Sequence, residues 1–341
     1  MVIRRIKLSG FRSHEGFELE FSPHTTKIIG ENGCGKTSVL EAIYEAMQGK
    51  SFRAVDREIV RRGDEFYRVE LEYGDGRKVV VIYDGEKKEF LVEDKRTRRL
   101  PKKAKYPIVL FEPEDLNLVG SSPTSRRNYF DRVFAQFSEG YSAALVRYNK
   151  ALKQRNELLK RETVNAGDVF SWSVLLTKYG AELREFRAEY IRQINTRITE
   201  AYRSIADNQD EVELEYVTEV ESESGFLVKL EQNFERDRLL GHTSFGVHHD
   251  NYEFIFNGSR ADGSASRGEV RSIVIALKFI EAEMIIERLN KTPVVLLDDV
   301  FSELDETRQK CLVKNFQDNQ IIITAVGGGG DIGENVVLEK D

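Results

Sequence analysis

The sequence predicts an α/β fold that carries an antiparallel β subdomain and an inserted helical lobe. Three observations within its 341 residues lead there. Short apolar runs recur at 26–29, 106–111, 294–297 and 320–324, as expected of strands buried on both faces of a parallel sheet. Alternating runs interrupted by Asp75-Gly76 and Asp84-Gly85 signal hairpins. Residues 125–204 contain no Pro and little Gly, and repeat their apolar side chains at helical spacing.

Taken in order, Val2, Arg4, Ile6 and Leu8 alternate with Ile3, Arg5 and Lys7 to give a first strand, and Phe17, Leu19 and Phe21 give a second. The turn between them, Gly10-Phe-Arg-Ser13, presents Arg12. The strand at 26–29 runs into Gly30-Glu-Asn-Gly-Cys-Gly-Lys-Thr37, which fits the phosphate-loop pattern G-x-x-x-x-G-K-[ST]. A helix follows through Val39, Leu40, Ile43, Tyr44 and Met47. Glycines let backbone N–H groups close around phosphates, and the helix turns its positive end toward them. Lys36 is expected to reach the β- and γ-phosphates and Thr37 to hold Mg²⁺. The candidate nucleotide contacts are therefore Gly30, Asn32, Gly33, Gly35, Lys36, Thr37 and Ser38, with Arg12 on its nearby turn as a phosphate or ribose contact.

After the run Gly49-Lys-Ser-Phe-Arg53, strands at 67–73, 78–83 and 89–92 form an antiparallel ribbon. Three or four helices then fill 125–204, connected near 163–168, before strands at 211–220, 226–230 and 252–256. The expected domains are 1–135 with 240–341 as the nucleotide-binding lobe and 136–239 as an inserted, mainly helical lobe. Val294-Val-Leu-Leu-Asp-Asp299 reads as a buried strand delivering two acids at its C-terminal end, where ligands sit in open α/β sheets. Asp298 would order Mg²⁺ through its water shell, and Asp299 would orient or deprotonate an attacking water. Upstream, Ala265-Ser-Arg-Gly-Glu-Val-Arg271 opens another helix, so Ser266, Gly268 and Glu269 form a second anion-type helix start.

Two Cys, Cys34 and Cys311, cannot build a disulfide framework and have no second Cys at metal-ligand spacing. The five His form no ligand cluster, although His248 and His249 are adjacent. No run approaches 18 apolar residues, and the N-terminal MVIRRIKLSGF reads as a strand. Neither a leader nor a membrane span is expected, and the cytoplasm is the expected compartment. The formal charge of −7 excludes a basic coat over the whole molecule but not a local patch. Seven of the eleven residues at 95–105 are basic: Lys95, Arg96, Arg98, Arg99, Lys102, Lys103 and Lys105. They are either a solvated face or a phosphate-contacting one.

The order phosphate loop, Ser-x-Gly-Glu, paired acids is that of ABC-type ATPases. The sequence resembles the RecF family of the ABC/SMC-like group over nearly its whole length. The resemblance rests on FRSHEGFELEFSPHTTKIIGENGCGKTSVLEAIYEAMQGKSFR, on FEPEDLNLV with SPTSRRNYFD, and on LLDDVFSELDETRQKCL at 296–312. Departures are Ser121 where Gly is usual, Phe130 for a small aliphatic residue, Cys34 for Gln, Val247 for Pro, His249 for Arg, and Glu269-Val270 for Gln-Gln. The resemblance implies an ABC/SMC-type ATPase head that hydrolyses ATP slowly with Mg²⁺, catalysed by Asp299, Lys36 and Asp298. It implies an ATP-dependent homodimer in which Ser266, Gly268 and Glu269 of a second copy cover the γ-phosphate. Glu112 or Glu114 would stand for the Q-loop residue. Double-stranded or gapped DNA would bind through phosphate contacts, with Arg126, Arg127 and the 95–105 stretch as candidates, and the RecR clamp would be a partner. Arg126 and Arg127 could equally anchor the helical lobe. The alternative is an SMC-like, nucleotide-gated scaffold with little turnover.

Overall fold

The four apolar runs of the sequence become neighbours in one sheet. In the computed structural model, which describes residues 1–326 and 333–338, the chain begins with β1 (Ile3–Phe11), β2 (His14–Glu20), β3 (Thr25–Gly30), α1 (Lys36–Gln48) and α2 (Asp56–Ile59). Next come β4 (Tyr67–Tyr73), β5 (Lys78–Tyr83), β6 (Lys88–Val92), β7 (Lys95–Thr97) and β8 (Ile108–Phe111). The middle of the chain holds α3 (Pro123–Phe137), α4 (Glu139–Leu159), α5 (Ala166–Asn195), α6 (Ile198–Ala206) and β9 (Val212–Val217). It continues through α7 (Glu223–Gln232), α8 (Phe234–Leu240), β10 (Asn251–Phe256), β11 (Ser259–Arg260) and α9 (Ala261–Ser264). Last are α10 (Arg267–Leu289), β12 (Val294–Leu297), α11 (Glu306–Asn315), β13 (Ile321–Ala325) and β14 (Glu334–Leu338).

Contacts divide the chain into a first unit, Met1–Asp115 with the chain from Glu281 onward, and a second, Leu116–Ile280. These breaks fall after 115 and 280, whereas the sequence pattern suggests 135 and 239. Both α3 and β10 thus belong with the helices.

In the first unit β14-β3-β13-β12-β8 form a parallel sheet, with Leu296 of β12 level with Leu110 of β8 and Ile322 of β13. Every residue of β8, β12 and β13 is buried, which is why these strands read as continuous apolar runs. Parallel register brings the C-terminal ends of β3 and β12 to one edge of the sheet, so Gly30 and Asp298 emerge there together. The antiparallel sheet β2-β1-β4-β5-β6-β7 contains the expected ribbon, extended by the two N-terminal strands.

The second unit holds four helices over 125–204 and a three-stranded sheet, β11-β10-β9. One expectation fails here. Residues 226–230 lie in α7 and not in a strand, because the Ser222 side chain accepts from Gly225 N and starts a helix. Phe226 and Leu230, four residues apart, are then both buried on one face. The unit's interior is ionic as well as aromatic. The buried Arg187 donates to Val247 O (2.7 Å), Asp250 Oδ2 (3.0 Å), Tyr141 OH (3.1 Å) and the partly exposed Asp131 through its Oδ1 (2.9 Å). Arg155 is likewise enclosed by Asp237, Thr243 and Ser173. Among the described residues no helix is long and apolar enough to cross a membrane.

Candidate nucleotide site

The phosphate loop spans the gap between β3 and α1, and its glycines are there for two reasons. Gly33 and Gly35 hold φ of 84° and 98°, a region that side-chain-bearing residues avoid. A Cβ on Gly35 would also lie 2.4 Å from His14 Nε2 and 2.6 Å from Ser13 Oγ. The loop opens onto the first turn of α1, which has neither a side-chain cap nor an acidic residue to neutralise its positive end. Lys36 is buried, and its Nζ donates to the loop's own carbonyls, Gly30 O at 2.9 Å and Glu31 O at 3.0 Å. An ammonium satisfied by neutral carbonyls gains strongly from exchanging them for charged phosphate oxygens.

The acids arrive from β12. Asp298 Oδ1 accepts from Thr37 Oγ1 (2.9 Å) and Thr324 Oγ1 (2.8 Å), so the phosphate-loop threonine and the strand-end acid are joined directly. Burial pushes the Asp298 carboxyl above its ordinary pKa, and the bonds from Thr324 and Thr37 oppose that rise. Asp299 adopts a left-handed backbone, φ 49°, with its N–H donated to Thr324 Oγ1. Its Oδ1 is buried and has no hydrogen-bond partner among the described residues. A hydroxyl, a carboxylate and an orphaned carboxylate oxygen make an all-oxygen set suited to a hard cation such as Mg²⁺ and its waters. Pairing of Phe111 with Leu297 places Glu112 beside Asp298 at the strand ends, whereas Glu114 lies exposed on the following 3₁₀ turn.

These residues open on a cleft of about 510 Å³ lined by Arg12, Asn32, Gly33, Gly35, Lys36, Thr37, Ser38 and Asp299. The cleft wall also includes Arg53, Glu58 and Arg62, to which the sequence pattern gave no role. The run Gly49–Arg53 stands out in the sequence, but nothing in it marks which residue faces a ligand. Arg12, itself left-handed at φ 56°, forks onto Glu41 through Nε (2.8 Å) and Nη2 (2.7 Å) and reaches Glu58 O through Nη1 (2.9 Å). The expected ligand contact is thus also a clasp on α1.

None of the remaining candidates is among the residues that line this cleft. Ser266, Gly268 and Glu269 are in the second unit, where Ser266 and Glu269 form a reciprocal cap. Ser266 N donates to Glu269 Oε2 at 2.6 Å, while Glu269 N is 3.4 Å from Ser266 Oγ. Lys95, Arg96, Arg98, Arg99, Lys102 and Lys103 are all exposed on or after β7, the edge strand of the antiparallel sheet. Arg126 is buried, its guanidinium on Asn251 Oδ1 (2.9 and 3.0 Å), Val119 O (3.2 Å) and Ser121 O (2.5 Å). Arg127 donates to Asp250 O (2.5 Å) and Thr124 Oγ1 (2.9 Å). Both arginines bind the second unit to itself, through carbonyls, an amide and a hydroxyl.

The model of the AAA domain family matches residues 5–256. The DNA replication and repair protein RecF of Lachnoclostridium phytofermentans is 33% identical over 344 residues, spanning 96% of this chain and 93% of the relative. The chain belongs to the RecF family. RecF of Clostridium acetobutylicum is 32% identical over 340 residues, with 96% of this chain and 94% of the relative covered. A solved structure described as the recombination mediator protein RecF-ATP in the RecFOR pathway superposes with a TM-score of 0.87 at 26% identity. That match covers 99% of this chain and 96% of the RecF chain. The Smc head bound to the C-winged helix domain of ScpA, at 16% identity and a TM-score of 0.54, shares the fold.

Proposed function

We propose that this chain is an ATP-binding and ATP-hydrolysing RecF that acts in DNA replication and repair. The observation that carries the reading is the meeting of Lys36, Thr37, Asp298 and the orphaned Asp299 oxygen at one sheet edge. Lys36 exchanges two carbonyls for the β- and γ-phosphate oxygens, and the uncapped first turn of α1 receives the remaining charge. Thr37 and Asp298 would hold Mg²⁺, which when bound would neutralise developing phosphate charge. Asp299 orients the attacking water or takes its proton, and Glu112, beside Asp298, serves as the Q-loop residue.

Each half of such a site leaves phosphate charge unanswered, so ATP joins two copies, with Ser266, Gly268 and Glu269 of the second copy covering the γ-phosphate. Ser266 Oγ is only loosely held within its own cap, which suits an exchangeable contact. The resulting homodimer binds double-stranded DNA near gaps through Lys95, Arg96, Arg98, Arg99, Lys102 and Lys103, supports the RecR clamp, and lets go on slow hydrolysis. Pull-down on a gapped duplex at several salt concentrations tests this. Retention with ATP but not ADP, falling steeply with salt, is expected; equal retention in both nucleotides, or no salt dependence, contradicts it.

A further inference from the structure

The second unit holds a buried cation whose partners leave one of its donors unanswered. Arg155, on α4, has a side chain only 1% exposed. Its Nε donates to Ser173 Oγ at 3.0 Å, and its Nη1 to Asp237 Oδ2 and Thr243 Oγ1, both at 2.7 Å. Nη2 has no protein partner among the described residues. The groups around it are engaged elsewhere. Asp237 gives its other oxygen to Ser244 N and Oγ, Thr243 Oγ1 donates to Asn156 Oδ1, and Ser173 Oγ donates to Val169 O. Arg155 and Ser173 belong to the wall of a partly open cavity of about 170 Å³. Val169 and Phe170 of α5, Leu230 of α7 and Phe234 of α8 make the rest of that wall largely apolar. Ala166 and Gly167, in the first turn of α5, line it too, and their N–H groups have no acceptor within the helix. Glu231 also lines the cavity but is exposed, so an anion is favoured inward, at Arg155.

We propose that this cavity is a binding site for a small carboxylate with an apolar body, its charged head on Arg155 Nη2 and its body among Val169, Phe170, Leu230 and Phe234. The size suits such a molecule, since an apolar cavity of about 150 Å³ admits one benzene ring. Water alone suits it less. Each buried water needs about two to four polar partners, and the side chains of this wall supply few. A buried donor left unmade is costly, and a charged one more so, whereas a carboxylate gains a charge-assisted bond together with the burial of its apolar body. A phosphate would bring a second charge to a single free nitrogen, with Glu231 opposing it. The site is built entirely from residues of the second unit and does not depend on the nucleotide reading.

Calorimetric titration of the full chain with cyclohexanecarboxylate tests the proposal, with cyclohexanemethanol as the neutral counterpart and acetate as the head alone. The acid is expected to saturate at one molecule per chain and to bind about tenfold tighter than the alcohol, the effect of one charge-assisted bond, while acetate shows no saturation. Phe170→Ala, at a side chain 47% exposed, is expected to melt like the wild type and to bind the acid at least about threefold more weakly. Arg155→Lys keeps a charge for Asp237 but loses the free nitrogen of the fork, and is expected to shrink the preference for acid over alcohol. Saturating ATP and Mg²⁺ should leave the affinity for the acid unchanged. No saturable binding would mean that the cavity holds water only and would overturn the proposal. So would equal affinity for acid and alcohol, full affinity in Phe170→Ala, or displacement of the acid by ATP, which would put the probe in the nucleotide cleft. If Arg155→Lys does not fold, the ligand series and Phe170→Ala decide alone.

Discussion

The ionic interior around Arg187 in the second unit and the nucleotide cleft of the first handle charge in opposite ways. In the second, Arg187 sits among carboxylates, a hydroxyl and a carbonyl that answer it within the protein. In the first, Lys36 makes do with carbonyls and Asp299 keeps an orphaned oxygen. A satisfied buried ion is scaffold, and an unsatisfied one marks where a ligand supplies the missing partner.

The comparison is broken most forcefully at the scaffold. Arg187→Met strands Asp250, whose side chain is almost wholly buried, and should cost about 3–5 kcal/mol in urea unfolding. ATP affinity per folded molecule should not change; a loss in affinity with unaltered stability would reverse the assignment. The same unit should also weaken in acid. His248 is held neutral: Nδ1 accepts from Tyr148 OH at 2.6 Å, and Nε2 faces Thr243 O at 3.1 Å. Burial, with His249 adding to it, lowers its pKa from 6.5 to about 4. The unfolded chain binds this proton and the folded one does not. Stability is therefore complete above pH 6.5 and declines as pH falls toward 4, by roughly 3 kcal/mol for this group. His248→Gln should flatten the slope of unfolding free energy over that window, and an unaltered slope would remove His248 from the account.

At the unsatisfied site the expected loss is chemical. Asp299→Asn should reduce ATP turnover at least about 100-fold, near 2.7 kcal/mol of barrier, while the melting temperature stays put. Smallest of all is the exposed Arg192–Glu189 pair, one turn apart on α5, where Arg192→Ala should change unfolding free energy by under about 0.5 kcal/mol.

Much of the first unit was legible because its signals are local. Apolar runs that end in Gly30 or Asp298 identify both the strands and the edge at which they deliver chemistry. Arg12 and Glu41 were not legible as a pair, since their meeting depends on how α1 returns to the β1–β2 turn. Arg126 could not be told from a surface arginine, because burial is decided by Asn251, 125 residues away. Residues 226–230 were misread because five residues rich in apolar side chains fit a strand or a buried helical face equally, and the deciding Ser222 cap lies outside the run.

Everything proposed for the second copy's Ser266 requires that ATP complete the site by joining two copies. Sedimentation velocity with ATP, with ADP and without nucleotide measures this directly in the wild type and in Ser266→Arg. A dimer with ATP alone, absent in Ser266→Arg, is the predicted result. A monomer under all three conditions, or an ATP dimer that survives Ser266→Arg, would contradict it.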